Sequence, residues 1–134
     1  MTTKLYRAAD YAEVRVGYSL TPQKKTAQAY LENPGFGGQS LHVTSVELDG
    51  VLDLYDSEDE WADLSAAAGT EIDPESYQHH FARVLPTSDT VCESLAACGY
   101  HWVRIRDDFP AGAVTMIPVS ESAADAADSG IEEI

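Results

Sequence analysis

The order of strand-like and helix-like segments most constrains the fold of this chain. Strand-like runs at residues 5–8 and 16–20 come before a helix-like run that ends at Leu31, and a strand-like run at 41–48 follows. A short extended piece at 51–55, a helical block and two more strand-like runs complete the order. Because the helices are segregated from the strands, this order predicts an α+β fold with a mostly antiparallel sheet.

Capping residues predict where the helices begin. Thr21 and Pro22 are typical of a helix start, because threonine caps helices and proline is favoured at the first helical position. Three further helices are predicted to begin at Ser57, Asp73 and Ser88.

Length and composition predict one folded unit with an acidic end. A chain of 134 residues with 44% apolar residues can build one core. Residues 120–134 hold five carboxylates and no basic side chain. We therefore expect one α+β domain over residues 1–119 and a disordered tail over residues 120–134.

The formal net charge of −15 disfavours a nucleic-acid-binding protein, because it repels phosphate backbones. Such acidity has three explanations: a high-salt or otherwise acidic proteome, a solvated surface with an acidic tail, or a surface that docks onto a basic partner. The sequence contains no long apolar run, and no apolar signal core follows Met1. A cytoplasmic protein without membrane contact is expected.

The cysteines and histidines do not predict a metal site. Cys92 and Cys98 lie six residues apart on one predicted helix, about 9 Å along its axis, so we expect reduced, buried thiols. The adjacent His79 and His80 point about 100° apart on a helix and cannot share a ligand. His42 and His101 are expected to be hydrogen-bonded strand residues rather than catalysts.

Several short motifs occur in a recognisable order between residues 4 and 119. They are Arg7 in the first strand, Tyr18–Thr21 running into a helix that ends at Tyr30, Val51–Leu54 after the third strand, and Cys98–Val103. This order resembles that of the mono-ADP-ribosyltransferases. It is also similar to that of a small phage-encoded member of the family that acts as an anti-CRISPR protein.

The resemblance implies a split sheet that grips NAD. Arg7 would offer a forked donor to a phosphate, while Ser19 and Thr21 would supply hydroxyls and Tyr18 and Tyr30 aromatic faces. Each residue also has a structural alternative. Arg7 suits a surface ion pair, Thr21 a helix cap, and the tyrosines a core.

The catalytic acid departs from the family pattern. Members usually carry a glutamate near the start of a late strand, whereas residues 109–114 contain none. Asp89 and Glu93, at the start of a predicted helix, are the substitutes we expect, with Asp107 and Asp108 as further candidates. Asp89 could equally be a helix cap.

The resemblance therefore implies an NAD-dependent ADP-ribosyltransferase that modifies a protein, such as a host defence component targeted by a phage. The alternative is a non-enzymatic acidic inhibitor that blocks the basic nucleic-acid-binding groove of a partner. The third hypothesis is an unrelated α+β domain whose matches to the family motifs are accidental.

Overall fold

The computed structural model describes residues 2–33, 40–55, 61–69, 89–107 and 112–134. Within these ranges the chain forms an α+β fold, which confirms the predicted class. The elements in chain order are β1 (Thr3–Ala9), α1 (Lys24–Glu32), β2 (Ser40–Val46), β3 (Val51–Asp53), α2 (Trp61–Ala68), α3 (Asp89–Ala97), β4 (Trp102–Asp107), β5 (Ala113–Pro118), α4 (Glu121–Ser129) and β6 (Glu132–Glu133).

The strands form two three-stranded sheets, with the orders β1-β2-β6 and β3-β4-β5. Strand β2 is antiparallel to both neighbours, and β4 is antiparallel to β5. Strand β3 instead runs parallel to β4. A parallel pair needs a crossover connection, and the chain between these two strands includes α2 and α3. The mostly antiparallel arrangement is therefore confirmed, with this one exception among the described pairings.

A two-residue segment joins the two sheets. Leu20 exchanges backbone hydrogen bonds of 2.8 and 2.7 Å with Met116 of β5. Thr21 exchanges bonds of 2.7 and 2.9 Å with Tyr6 of β1. The strand predicted over residues 16–20 is thus reduced to isolated bridges at Leu20 and Thr21.

Helix α1 begins at Lys24, two residues later than predicted from Thr21 and Pro22. The reason is that the backbone of Thr21 is committed to pairing with β1, so the helix starts after it. The predicted helix starts at Ser57, Asp73 and Ser88 lie outside the described residues. None of the helices that the structure describes is long and apolar enough to cross a membrane.

The sheet β3-β4-β5 separates two apolar cores. Core A lies on the face that α2 and α3 cover, and core B lies on the opposite face, where α4 packs. The two sets alternate along β4, since Val103 and Ile105 belong to core A and Trp102 to core B. Core A comprises Leu52, Leu54, Leu64, Val91, Cys92, Leu95, Val103, Ile105, Ile117 and Val119. Core B comprises Leu5, Val14, Leu20, Val46, Trp102, Val114, Met116, Ala123 and Ala127.

The prediction of a disordered tail over residues 120–134 is wrong. Residues 121–129 form α4, whose buried face consists of Ala123, Ala124 and Ala127. Ser120 caps the helix by accepting a hydrogen bond from the backbone of Ala123 at 3.1 Å. The hydroxyl of Thr44 donates to the carbonyl of Ala127 at 2.7 Å. Composition was misleading because the carboxylates face outward while small alanines fit closely against the sheet.

Gly50 should be sensitive to a single added carbon. Its φ is +59°, and a Cβ there would lie 2.9 Å from His101 Cδ2 and 3.0 Å from the carbonyl of Gly99. We expect Gly50→Ala to lower the free energy of unfolding by about 2–3 kcal/mol, as measured by urea denaturation. Gly69→Ala is the matched control, because Gly69 has a φ of +72° but a Cβ there meets no described atom within 4 Å. Equal losses in both variants would contradict the packing explanation.

Candidate functional site

Arg7 lies at the centre of the candidate site. Its Nη1 donates a hydrogen bond of 2.8 Å to the backbone carbonyl of Ser19. The Tyr18 ring lies against the guanidinium, with 4.6 Å between Arg7 Cζ and the ring centroid. The pairing of Tyr6 with Thr21 explains this proximity, because it holds the segment before α1 beside β1. We call Arg7, Tyr18 and Ser19 the Arg7 cluster.

Burial strongly affects the Arg7 guanidinium. Desolvation lowers the pKa of Arg7, while electrostatic interactions with Tyr18 and Glu13 act in the opposite direction. An arginine so placed still keeps its proton at neutral pH. Its Nε is buried and finds no hydrogen-bond acceptor among the described residues. The cluster therefore contains a cation with one donor that the described residues leave unused.

The other predicted binding residues have different surroundings. The Ser19 carbonyl, rather than the expected hydroxyl, is what contacts Arg7. Thr21 is buried, and its hydroxyl accepts a hydrogen bond of 3.2 Å from the backbone of Gln23. Tyr30 is half-buried near the C-terminal end of α1. The structure thus brings together Arg7, Tyr18 and Ser19, with Thr21 as part of the sheet junction.

The carboxylates predicted as catalytic lie on α3. Glu93 is exposed, and Asp89 is the first residue of the helix. Helix α3 packs into core A through Val91, whereas Tyr18 packs against core B. The sheet β3-β4-β5 therefore stands between α3 and the ring that covers Arg7. Asp107 ends β4, and Asp108 lies outside the described residues.

The carboxylate that acts on the charge of Arg7 is Glu13. It is half-buried, and its Oε1 accepts a hydrogen bond from Nε of the exposed Arg15. This contact raises the pKa of Arg15. Sequence reasoning missed Glu13, because it lies in an irregular segment without a motif.

A second arginine cluster lies on the core B side of β4. Arg104 Nη1 donates to both carboxylate oxygens of Asp53 at 3.1 Å. The Tyr55 ring lies against both Arg104 and Arg106, whose Cζ atoms are 4.6 and 4.4 Å from its centroid. The alternation of residues 102–106 could have signalled that these two arginines share a face. Their contacts tie β3 to β4 and give the cluster a structural role.

The two histidines that were expected in strands differ in their partners: His42 lies in β2, whereas His101 directly precedes β4. His101 Nδ1 lies 2.7 Å from the hydroxyl of Ser120, so His101 is hydrogen-bonded as expected. His42 is only 2% exposed, and its Nδ1 has no partner among the described residues. The expectation of a satisfied histidine is therefore wrong for the Nδ1 atom of His42.

The cysteines and the potential metal-binding side chains of the described residues do not form a further candidate site. Cys92 and Cys98 are both free, as predicted, but Cys98 is exposed rather than buried. Within the described ranges, no group of histidine, cysteine and acidic side chains is arranged to hold a metal ion.

Comparisons of the chain with protein-family models, with curated proteins and with solved structures found no match. Neither a family nor an activity therefore follows from likeness to known proteins. The resemblance to mono-ADP-ribosyltransferases stays a prediction.

Proposed function

We propose that the protein binds NAD through the Arg7 cluster and transfers its ADP-ribose to a protein. The observation that carries the proposal is the half-buried guanidinium, which lies against an aromatic ring and whose Nε finds no acceptor in the described ranges. Diphosphates suit such a donor, because arginine presents a rigid fork to phosphate oxygens. The Tyr18 ring is an aromatic surface of the kind on which a planar base can stack.

In the proposed reaction, the bond between the nicotinamide nitrogen and the ribose C1′ breaks and nicotinamide leaves with the electron pair. A nucleophilic side chain of the target attacks C1′ of the oxocarbenium-like ribose and gives its proton to a carboxylate. Arg7 holds the diphosphate and so fixes the ribose for attack. Its charge interaction with Arg7 favours Glu13 as this carboxylate over Asp89 and Glu93 of α3.

The test is a transfer assay with adenylate-labelled NAD and candidate target proteins. It measures both the label on the target and the nicotinamide that is released. We expect label on a target together with an equal amount of nicotinamide. Glu13→Gln should lower the rate at least about 100-fold, since a carboxylate acting as a base typically contributes that much. Glu93→Gln is the matched control and should keep the rate. Absence of both NAD binding and transfer would remove the proposal.

A second candidate function is inhibition of a basic partner without catalysis. It is favoured by the exposed carboxylates of α4 and β6, which belong to ordered elements: Glu121, Asp125, Asp128, Glu132 and Glu133. An ordered acidic surface can dock onto a basic groove and exclude nucleic acid from it. This function predicts stoichiometric, salt-sensitive inhibition that Arg7→Ala and Asp89→Ala leave unchanged. Substoichiometric inhibition would favour the enzyme.

A further inference from the structure

His42 and Arg7 each contain a buried nitrogen that no described residue hydrogen-bonds. These atoms are His42 Nδ1 and Arg7 Nε, and neither has a hydrogen-bond partner among the described residues. His42 is 2% exposed. Because most buried polar side-chain atoms in proteins are hydrogen-bonded, two exceptions indicate an acceptor that the described part of the chain does not supply.

The two residues are neighbours on the same face of the sheet. Arg7 in β1 is the antiparallel register partner of His42 in β2. Side chains at directly opposite positions point to the same side, with Cβ atoms about 5 Å apart. The next pair on the same face, Leu5 and Thr44, is buried where α4 packs on the sheet. The Arg7–His42 pair therefore lies on the face that carries core B.

The chemistry of the pair matches an oxyanion. Arg7 Nε is always a donor, and His42 Nδ1 donates in one of its neutral tautomers or when protonated. A half-buried guanidinium also favours a negative counter-charge. Glu13 interacts electrostatically with Arg7. Its carboxylate, however, accepts its hydrogen bond from Arg15.

We propose that Arg7 and His42 form an oxyanion-binding pair that takes a phosphate oxygen on the sheet face that these two side chains share. This inference deepens the proposed function, on which the identification of that phosphate as part of the NAD diphosphate rests. It adds His42 to the Arg7 cluster as a binding residue. The pair also explains why a histidine occupies a buried position of β2 that an apolar side chain could fill.

The experiment is a titration of the protein with sodium pyrophosphate, followed by NMR of the Arg7 Nε–H and the His42 ring nitrogens. Both signals are expected to shift along one saturable binding curve. His42→Gln and Arg7→Lys should each weaken pyrophosphate about tenfold or more, as expected for a lost hydrogen bond to a charged group. His101→Gln and Arg15→Lys are the matched controls and should bind as the unmodified protein does.

Three results would overturn the inference. The first is that pyrophosphate shifts neither signal, which would show that the two nitrogens do not bind the anion. The second is that His42→Gln binds pyrophosphate unchanged. The third is that all four variants weaken it equally, which would indicate diffuse attraction. The titration of the unmodified protein decides the matter even if the His42 variant does not fold.

NAD separates this inference from the proposed function. If pyrophosphate binds at the pair but NAD does not, the oxyanion pair stands and the proposed function fails. If NAD binds and His42→Gln leaves its affinity unchanged, the proposed function stands and the role of His42 fails.

Discussion

Ala127→Glu is expected to lower the free energy of unfolding by about 3–5 kcal/mol, enough to unfold much of the protein. Ala127 is fully buried in core B, and its carbonyl accepts the hydrogen bond from Thr44. A carboxylate at this position loses its water without gaining a partner. Helix α4 must then leave the sheet and expose the apolar side chains beneath it.

Ala126→Glu is the control for this prediction, because Ala126 is the neighbouring residue and is exposed. Both variants add the same charge to a protein of net charge −15, so general repulsion affects them alike. The control should change stability by no more than about 0.5 kcal/mol. Urea denaturation followed by circular dichroism measures both. Equal stability of the two variants would restore the sequence-based prediction of a disordered tail.

Leu20→Ala is expected to destabilise the protein by about 2–5 kcal/mol, the usual loss for a buried leucine. Leu20 is 2% exposed and contributes its side chain to core B at the junction of the two sheets. The cavity should loosen the junction, so the backbone amides of Leu20 and Met116 should exchange with solvent faster than those elsewhere in β5.

Tyr11→Ala provides the comparison, because Tyr11 is 77% exposed although it lies in the same connecting segment. Its stability and amide exchange should stay close to those of the unmodified protein. Hydrogen exchange followed by NMR measures the junction directly. If Leu20→Ala leaves the exchange of Met116 unchanged, the two residues do not form the joint between the sheets.

The regular elements could largely be predicted from local pattern. The alternation at residues 41–48 predicted β2, and Gly99 correctly followed the end of α3. The junction at Leu20 and Thr21 could not be predicted, because it depends on pairing with β1 and β5, which are distant in sequence. Helix α4 was missed because the carboxylates of its outer face outweighed three buried alanines in composition.

The candidate site could be predicted only in part. The sequence indicated Arg7 with Tyr18 and Ser19, which do lie together, but suggested the serine hydroxyl rather than its carbonyl. The side of the sheet on which α3 packs follows from chain topology. Local sequence pattern therefore could not show that Asp89 and Glu93 lie away from the Arg7 cluster. That His42 Nδ1 is buried without a partner among the residues described depends on packing, which spacing along the sequence does not reveal.

The most direct test of the Arg7 cluster is the affinity for NAD, measured by isothermal titration calorimetry on the unmodified protein, Arg7→Lys and Arg15→Lys. Lysine keeps the charge but loses the fork, so Arg7→Lys should weaken NAD binding about 10- to 100-fold. Arg15→Lys, at an exposed arginine paired with Glu13, should leave the affinity unchanged. Undetectable NAD binding to the unmodified protein, or equal affinity in all three proteins, would contradict the role assigned to Arg7.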